Sequence, residues 1–134
     1  MFYFERFNNH DKAEKHARGL KSVIENKIVM LNQIKHFPLA ELEFLREAVD
    51  EVIKCRQVLK YTYVYGYYLK SMKAKNLFEF MQQDLEKNTE YLHELIEKPL
   101  DPFLNEETNR SPFYQYKGEL INYFQVTRKV SQVI

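Results

Sequence analysis

The run Cys55-Arg56-Gln57-Val58-Leu59-Lys60-Tyr61-Thr62-Tyr63-Val64-Tyr65-Gly66-Tyr67-Tyr68-Leu69 packs five of the chain's ten tyrosines into eight positions. Each buried tyrosine supplies a large apolar area and asks for a partner at its hydroxyl. So many together imply a packed helix core with polar tips rather than a solvent-facing surface. Taken alone, Tyr61, Tyr63, Tyr65 and Tyr67 alternate with Thr62 and Val64 as a half-buried strand would. Taken with what precedes it, the run continues a helical stripe through Leu42, Leu45, Val49, Val52, Arg56, Leu59 and Tyr63. Gly66 is the one turn signal between Leu39 and Leu69, so the segment is read as helix.

The rest of the chain agrees with that reading. Three Gly and four Pro in 134 residues leave little punctuation for a many-stranded fold. A first helix is expected from about Phe2 to Lys35, with Ala13, Ala17, Leu20, Ile24, Ile28, Leu31 and Ile34 at spacings of three and four. Its beginning, Asn8-Asn9-His10-Asp11-Lys12, is polar on most faces and is expected to be exposed. His36-Phe37-Pro38 ends it, because a residue before proline is pushed out of the helical region. Pro38 then suits the first position of a second helix, about Leu39 to Ser71. Asn76, with Glu79 three residues later, resembles a capping box for a third helix. That helix is expected to bury Leu77, Phe78, Met81, Leu85, Leu92, Leu95 and Ile96, and to stop at Lys98-Pro99. Residues 99–112 hold three of the four prolines and read as a surface loop. Ser111-Pro112 starts a last helix, with Phe113, Tyr116, Leu120, Phe124, Thr127 and Ile134 on one stripe. The expected fold is all-α, an antiparallel bundle of about four long helices in a single domain over residues 1–134. Its core is expected to include Leu45, Val49, Leu59, Tyr63, Tyr67, Phe78 and Leu85.

Composition narrows the function. Lys+Arg 20 against Asp+Glu 19 gives a net charge of +1, without the basic footprint of a nucleic-acid binder. Lys70, Lys73 and Lys75 fall at the expected turn and read as a solvated corner. A single cysteine excludes an internal disulfide framework and fits a reducing compartment, the cytoplasm with the nucleus also open. No apolar run approaches the roughly 18 residues that span a bilayer, so no membrane is expected. The start, Met1-Phe2-Tyr3-Phe4-Glu5-Arg6-Phe7, is neither a signal nor a transit peptide, and its crowded apolar residues suggest a chain cut from something longer.

No catalytic constellation stands out. Cys55 lies between Lys54 and Arg56, neighbours that can depress a thiol pKa, yet it falls beside the apolar stripe and reads as a small buried hydrophobe. His10, His16, His36 and His93 show no Cys/His zinc spacing. Glu90-Tyr91-Leu92-His93 is half of a di-iron carboxylate motif; with no second Glu-x-x-His it reads as a surface pair. Phosphate-cradling glycine loops and the serine-nucleophile elbow are missing. No catalytic residue, cofactor or metal ligand is therefore assigned.

Several blocks carry more than periodicity. Phe2-Tyr3-Phe4-Glu5-Arg6-Phe7-Asn8-Asn9-His10 resembles the opening of the Ariadne domain, the helical C-terminal region of Ariadne-type RING-between-RING (RBR) E3 ubiquitin ligases. The similarity continues through Glu43-Phe44-Leu45, Ala48-Val49-Asp50, Cys55-Arg56, Tyr61-Thr62-Tyr63-Val64 and Tyr67-Tyr68-Leu69. It reaches Phe78-Glu79, Asp84-Leu85-Glu86 and Thr89-Glu90, so that it covers roughly residues 2–98. The tyrosine block after Cys-Arg is its most specific part. Beyond Pro99 the similarity is weak, and the arginine-rich stretch of the family's last helix is reduced to Thr127-Arg128-Lys129.

The resemblance implies a regulatory role. In such ligases the second RING carries the cysteine that accepts ubiquitin from a ubiquitin-charged E2. The Ariadne domain packs over that RING and occludes the cysteine until a neddylated cullin–RING ligase relieves the block. Zinc belongs to the RING domains of the parent, whose ligands and catalytic cysteine are not among these residues. The family's Phe-Glu contact with the second RING falls by spacing on His16 and Ala17, so neither side chain is retained. A third-helix glutamate of the same contact falls on Glu90 and is retained. The plainer readings are an exposed helix histidine for His16 and a surface charge for Glu90. The alternative to the regulatory role is a stand-alone helical scaffold for protein–protein interaction.

Overall fold

A computed structural model of the chain describes residues 2–67, 72–99, 103 and 111–133, excepting the side chains of 2, 3, 66, 67, 72, 73 and 133. Four helices account for nearly all of them: α1 (Phe2–Lys35), α2 (Leu39–Tyr67), α3 (Met72–Glu97) and α4 (Ser111–Val133). No strand occurs among the described residues, so the tyrosine run is helical as far as Tyr67.

Cross-helix pairs give the topology. Arg46 meets Glu25 and Lys60 meets Asp11, so α1 and α2 run antiparallel. Gln82 bonds Thr62 while Arg56 reaches His93, and α2 and α3 are antiparallel in turn. Tyr116 donates to the Leu95 carbonyl and Thr127 to that of Asn88, which sets α4 antiparallel to α3. The bundle therefore runs up, down, up, down, and α2 touches all three other helices.

The main core lies at the end where α1 turns into α2. Leu42, Leu45, Ala48, Val49 and Val52 of α2 interlock with Ala17, Ile24, Ile28 and Leu31 of α1 and with Leu92, Leu95 and Ile96 of α3. Each of the larger side chains contributes about 1.5–3 kcal/mol on burial. Phe37, in the α1–α2 turn, packs at a tilt of 34° on Phe113 of α4 with centroids 4.4 Å apart, and Phe103 packs edge-on against the same ring. A smaller cluster of Cys55, Leu59 and Leu85, with Val58 and Val130 against it, continues the packing along the bundle.

The stripe read from sequence in α2 is buried throughout, Arg56 and Tyr63 included. Of the expected core set, Leu45, Val49, Leu59, Tyr63 and Leu85 are buried. Phe78 is only half-buried, and Tyr67 lies outside the described side chains, as does Ile134. The tyrosine run is not packed on all sides: Tyr61 and Tyr65 are 61% and 57% exposed. Helical rotation turns them outward while Thr62 and Tyr63 face the bundle. Leu77 at 63% and Phe80 at 70% are exposed as well. Val130, close to the described end of α4, lies against Leu85, so the first turns of α3 extend past the described part of α4.

Three further expectations are corrected. α3 begins at Met72, so Asn76 is an exposed residue of its second turn rather than a cap, and Lys73 and Lys75 belong to the helix rather than to a corner. Pro38 precedes α2 and its carbonyl accepts from the Glu41 N–H at 3.0 Å, which makes it the cap itself. His10, expected in an exposed stretch, is 3% exposed, because it extends the Ala13–Ala17 stripe by one turn toward the N-terminus.

Candidate functional site

α1 and α3 lie side by side, in parallel, against α2. Where they meet, a line of polar side chains replaces the hydrophobic core. Arg56 occupies a stripe position of α2, so helical geometry drives its guanidinium into the bundle, where it is 7% exposed. A buried cation needs partners. Its Nη1 donates to His10 Nδ1 on α1 at 3.1 Å, and its Nη2 to His93 Nδ1 on α3 at 3.4 Å. Because each Nδ1 accepts, each neutral imidazole carries its proton on Nε2.

Those Nε2 atoms face carboxylates. His10 Nε2 lies 3.7 Å from Glu86 Oε2, the acceptor that the Tyr63 hydroxyl reaches at 2.5 Å, while Arg6 meets Glu86 Oε1 at 3.1 Å. The His10 ring also stacks on Tyr63, with centroids 5.6 Å apart. His10, then Tyr63 and Arg6, pull the Glu86 carboxyl down to about 2 against the opposing effect of burial. At the other end, His93 Nε2 and His16 Nε2 converge on one oxygen, Glu97 Oε1, at 2.7 and 2.9 Å. The His93 contact is short but lies off the ring's N–H line, and leaves that nitrogen without a well-formed hydrogen bond. Burial first, and Arg56 second, lower the His93 pKa and favour the neutral ring.

The seam opens to solvent at two clefts. One, of about 290 Å³, is lined by Arg56, Glu90, His93, Glu94 and Glu97. Another, of about 370 Å³, runs from Arg6 and Tyr63 past Glu86 to the same Glu90. Glu90 is exposed between them, and His16 stands at the rim with its side chain 61% exposed. Ala17 does not share this face. It is fully buried in the α1–α2 packing, because its position on the helix points at α2 rather than at solvent. Of the three residues singled out from sequence, His16 and Glu90 thus flank one surface, and Ala17 is core.

Cys55 is buried as well, and its thiol donates to Glu51 at 3.6 Å. Burial, with Glu51 beside it, pushes the thiol up to about 12, so Lys54 and Arg56 do not make it a nucleophile at neutral pH. Sequence reading missed the Arg56 seam. The signals were a charged residue inside an apolar stripe and two histidines on neighbouring stripes, none of which identifies its partner without the fold.

Comparison with known proteins places the chain once this geometry is in hand. It belongs to the Ariadne domain family, which matches residues 1–132. It is 37% identical over 133 residues to the probable E3 ubiquitin-protein ligase rbrA of Dictyostelium discoideum, covering 96% of this chain and 24% of the relative. It is 37% identical over 100 residues to the E3 ubiquitin-protein ligase ariadne-1 of Drosophila melanogaster, covering 75% of this chain and 20% of that protein. Similarity to the probable E3 ubiquitin-protein ligase ARI8 of Arabidopsis thaliana is 32% over 129 residues, or 94% of this chain and 23% of the relative. The chain spans about a quarter or less of the length of these curated relatives. The family likeness read from the tyrosine block is borne out, and it extends past Pro99 into α4.

Proposed function

We propose that this chain is the non-catalytic, autoinhibitory segment of an RBR-type E3 ubiquitin ligase. In this reading the α1–α3 face packs on the catalytic second RING of the parent and covers its acceptor cysteine. A neddylated cullin–RING ligase releases it, so that the parent can take ubiquitin from a charged E2. Zinc belongs to the parent's RING domains, and the working compartment is the cytoplasm or nucleus. The observation that carries the reading is the family match over residues 1–132. Two features support it: an exposed face bearing Glu90 and His16, and a buried thiol with no transfer chemistry to offer.

The restraint is a population difference. The closed state dominates by the free energy of the face–RING contact, and a partner opens it only by binding the open form better. By spacing, the family resemblance puts its Phe-Glu contact on His16 and Ala17, and Ala17 is buried, so in this reading the contact is reduced to Glu90, His16 and their neighbours. The closed state is expected to be leakier than in relatives that keep Phe-Glu. Ubiquitin discharge by the full-length parent, with and without Glu90→Ala, tests this: the variant should discharge faster. A silent wild type with an equally silent variant rejects the reading.

A stand-alone interaction scaffold draws support from one observation. An open apolar trough of about 850 Å³ between α2 and α3 is lined by Val58, Tyr61, Tyr65, Phe78 and Met81. Cysteine-rich RING motifs encoded ahead of Met1 favour the ligase segment, and their absence favours the scaffold.

A further inference from the structure

The clasp at the rim of the seam has the donors of a metal site. We propose that His16 Nε2 of α1, with His93 Nε2 and a Glu97 carboxylate oxygen of α3, binds a divalent cation of the zinc class between the two helices. The three donor atoms already lie within 4.8 Å of one another. His93 and Glu97 are four residues apart, on one face of α3, and His16 faces them across the helix–helix groove. Both imidazole nitrogens converge on one point, 2.7 and 2.9 Å from Glu97 Oε1. Around a tetrahedral Zn²⁺ with bonds near 2.0–2.1 Å, ligand atoms sit roughly 3.4 Å apart, so a small opening of the clasp admits the ion.

A second observation points to a ligand. His93 is 8% exposed, yet its Nε2, aimed into the clasp, has no well-formed hydrogen bond. A buried imidazole nitrogen left in that condition is costly, and a metal ion satisfies it. The cleft of about 290 Å³ alongside has room for a water as the fourth ligand. Two imidazoles and one carboxylate suit zinc and its transition-metal neighbours; Mg²⁺ and Ca²⁺ prefer sets built from oxygen.

Arg56 opposes the ion, and the geometry shows how that is relieved. Coordination through Nε2 requires the His93 proton to sit on Nδ1, where Arg56 Nη2 now donates at 3.4 Å. That contact is the longer of the two that Arg56 makes with histidine. Glu90 lines the same cleft and acts on the Arg56 charge more strongly than any other carboxylate. Exchanging His93 Nδ1 for Glu90 frees the tautomer without stranding the guanidinium. Around the ion, Glu90, Glu94 and Glu97 outnumber Arg56.

The inference is independent of the docking reading and is tested on the 134-residue chain, stripped with EDTA and placed in a non-coordinating buffer at about pH 7.5. Titration with Co²⁺ should give one equivalent of visible d–d absorption, bleached by Zn²⁺, and Zn²⁺ should raise the thermal midpoint. His16→Ala and Glu97→Ala should each weaken binding at least about tenfold. The metal-free midpoint of His16→Ala should stay near that of wild type, because that side chain is 61% exposed. Glu90→Gln should weaken binding less, through Arg56, and Mg²⁺ should leave the protein unchanged. No saturable Zn²⁺ or Co²⁺ binding below about 1 mM, or wild-type binding by both alanine variants, overturns the proposal.

Discussion

His36 is the one non-glycine residue with positive φ among the described residues, at 60°. It ends α1 in the left-handed conformation, so that the Phe37 N–H turns back to the Leu31 carbonyl and the Asn32 side chain caps the Phe37 carbonyl at 2.8 Å. A Cβ in that region costs about 1 kcal/mol, a cost that glycine lacks. His36→Gly is expected to stabilise the fold by about 0.5–1 kcal/mol and to raise the calorimetric midpoint by a few degrees. Cys55 makes the opposite kind of residue-scale statement, since its chemistry is suppressed by its place. With a thiol near 12, reaction with a disulfide reagent at about pH 8 should be slow and should accelerate with urea in step with unfolding. Fast labelling of the native protein would show that the thiol is reachable.

At the scale of elements, the seam between α1, α2 and α3 replaces apolar packing with a chain of partners running from Tyr63 through Glu86, His10, Arg56 and His93 to Glu97. Such a chain fixes register, because sliding any one of the three helices by a turn separates the pairs that it makes with the other two. Arg56→Ala strands two imidazole acceptors and leaves a cavity, at an expected cost of about 2–4 kcal/mol in chemical denaturation. Arg56→Met refills the volume and should cost less. If the two variants are equally destabilised, the hydrogen bonds rather than the volume are what matters. The α1–α2 ion pairs differ in weight. Lys60 sits between Asp11 and the buried Glu14, with its own side chain 12% exposed. The Arg46–Glu25 pair lies in solvent, where such contacts add little.

For the whole molecule, Glu86 is the point at which three helices share one charge. Its folded pKa, about 2, is depressed from the 4.5 of an ordinary glutamate, so its contribution is present in full above pH 4.5 and disappears as pH falls toward 2. The contribution is at most about 3 kcal/mol, since the His10 approach of 3.7 Å is longer than a hydrogen bond. Glu86→Gln is expected to flatten the pH dependence of stability between 4.5 and 2 while lowering stability at neutral pH. An unchanged slope would assign the acid limb to other carboxylates. Acid should therefore loosen the part of the bundle where Arg6, His10 and Tyr63 surround Glu86 before it reaches the aromatic end around Phe37 and Phe113.

Sequence alone determined the helices, because apolar spacing, the Phe37-Pro38 break and the Ser111-Pro112 start are local signals that need no partner. It also determined the family, through blocks whose order survives without coordinates. Periodicity placed Tyr63 on the buried stripe, but not the exposure of Tyr61 and Tyr65, which a tyrosine-rich run reads as packed and which the neighbouring helices decide. Nor could it show that Leu77 lies past the packed part of α4, because this depends on the register of neighbouring helices. The clasp of His16, His93 and Glu97 joins residues far apart in sequence, and only tertiary packing brings their nitrogens and oxygens to one point. Periodicity fixes which face of a helix is apolar; the partner that meets each polar group is set by the fold.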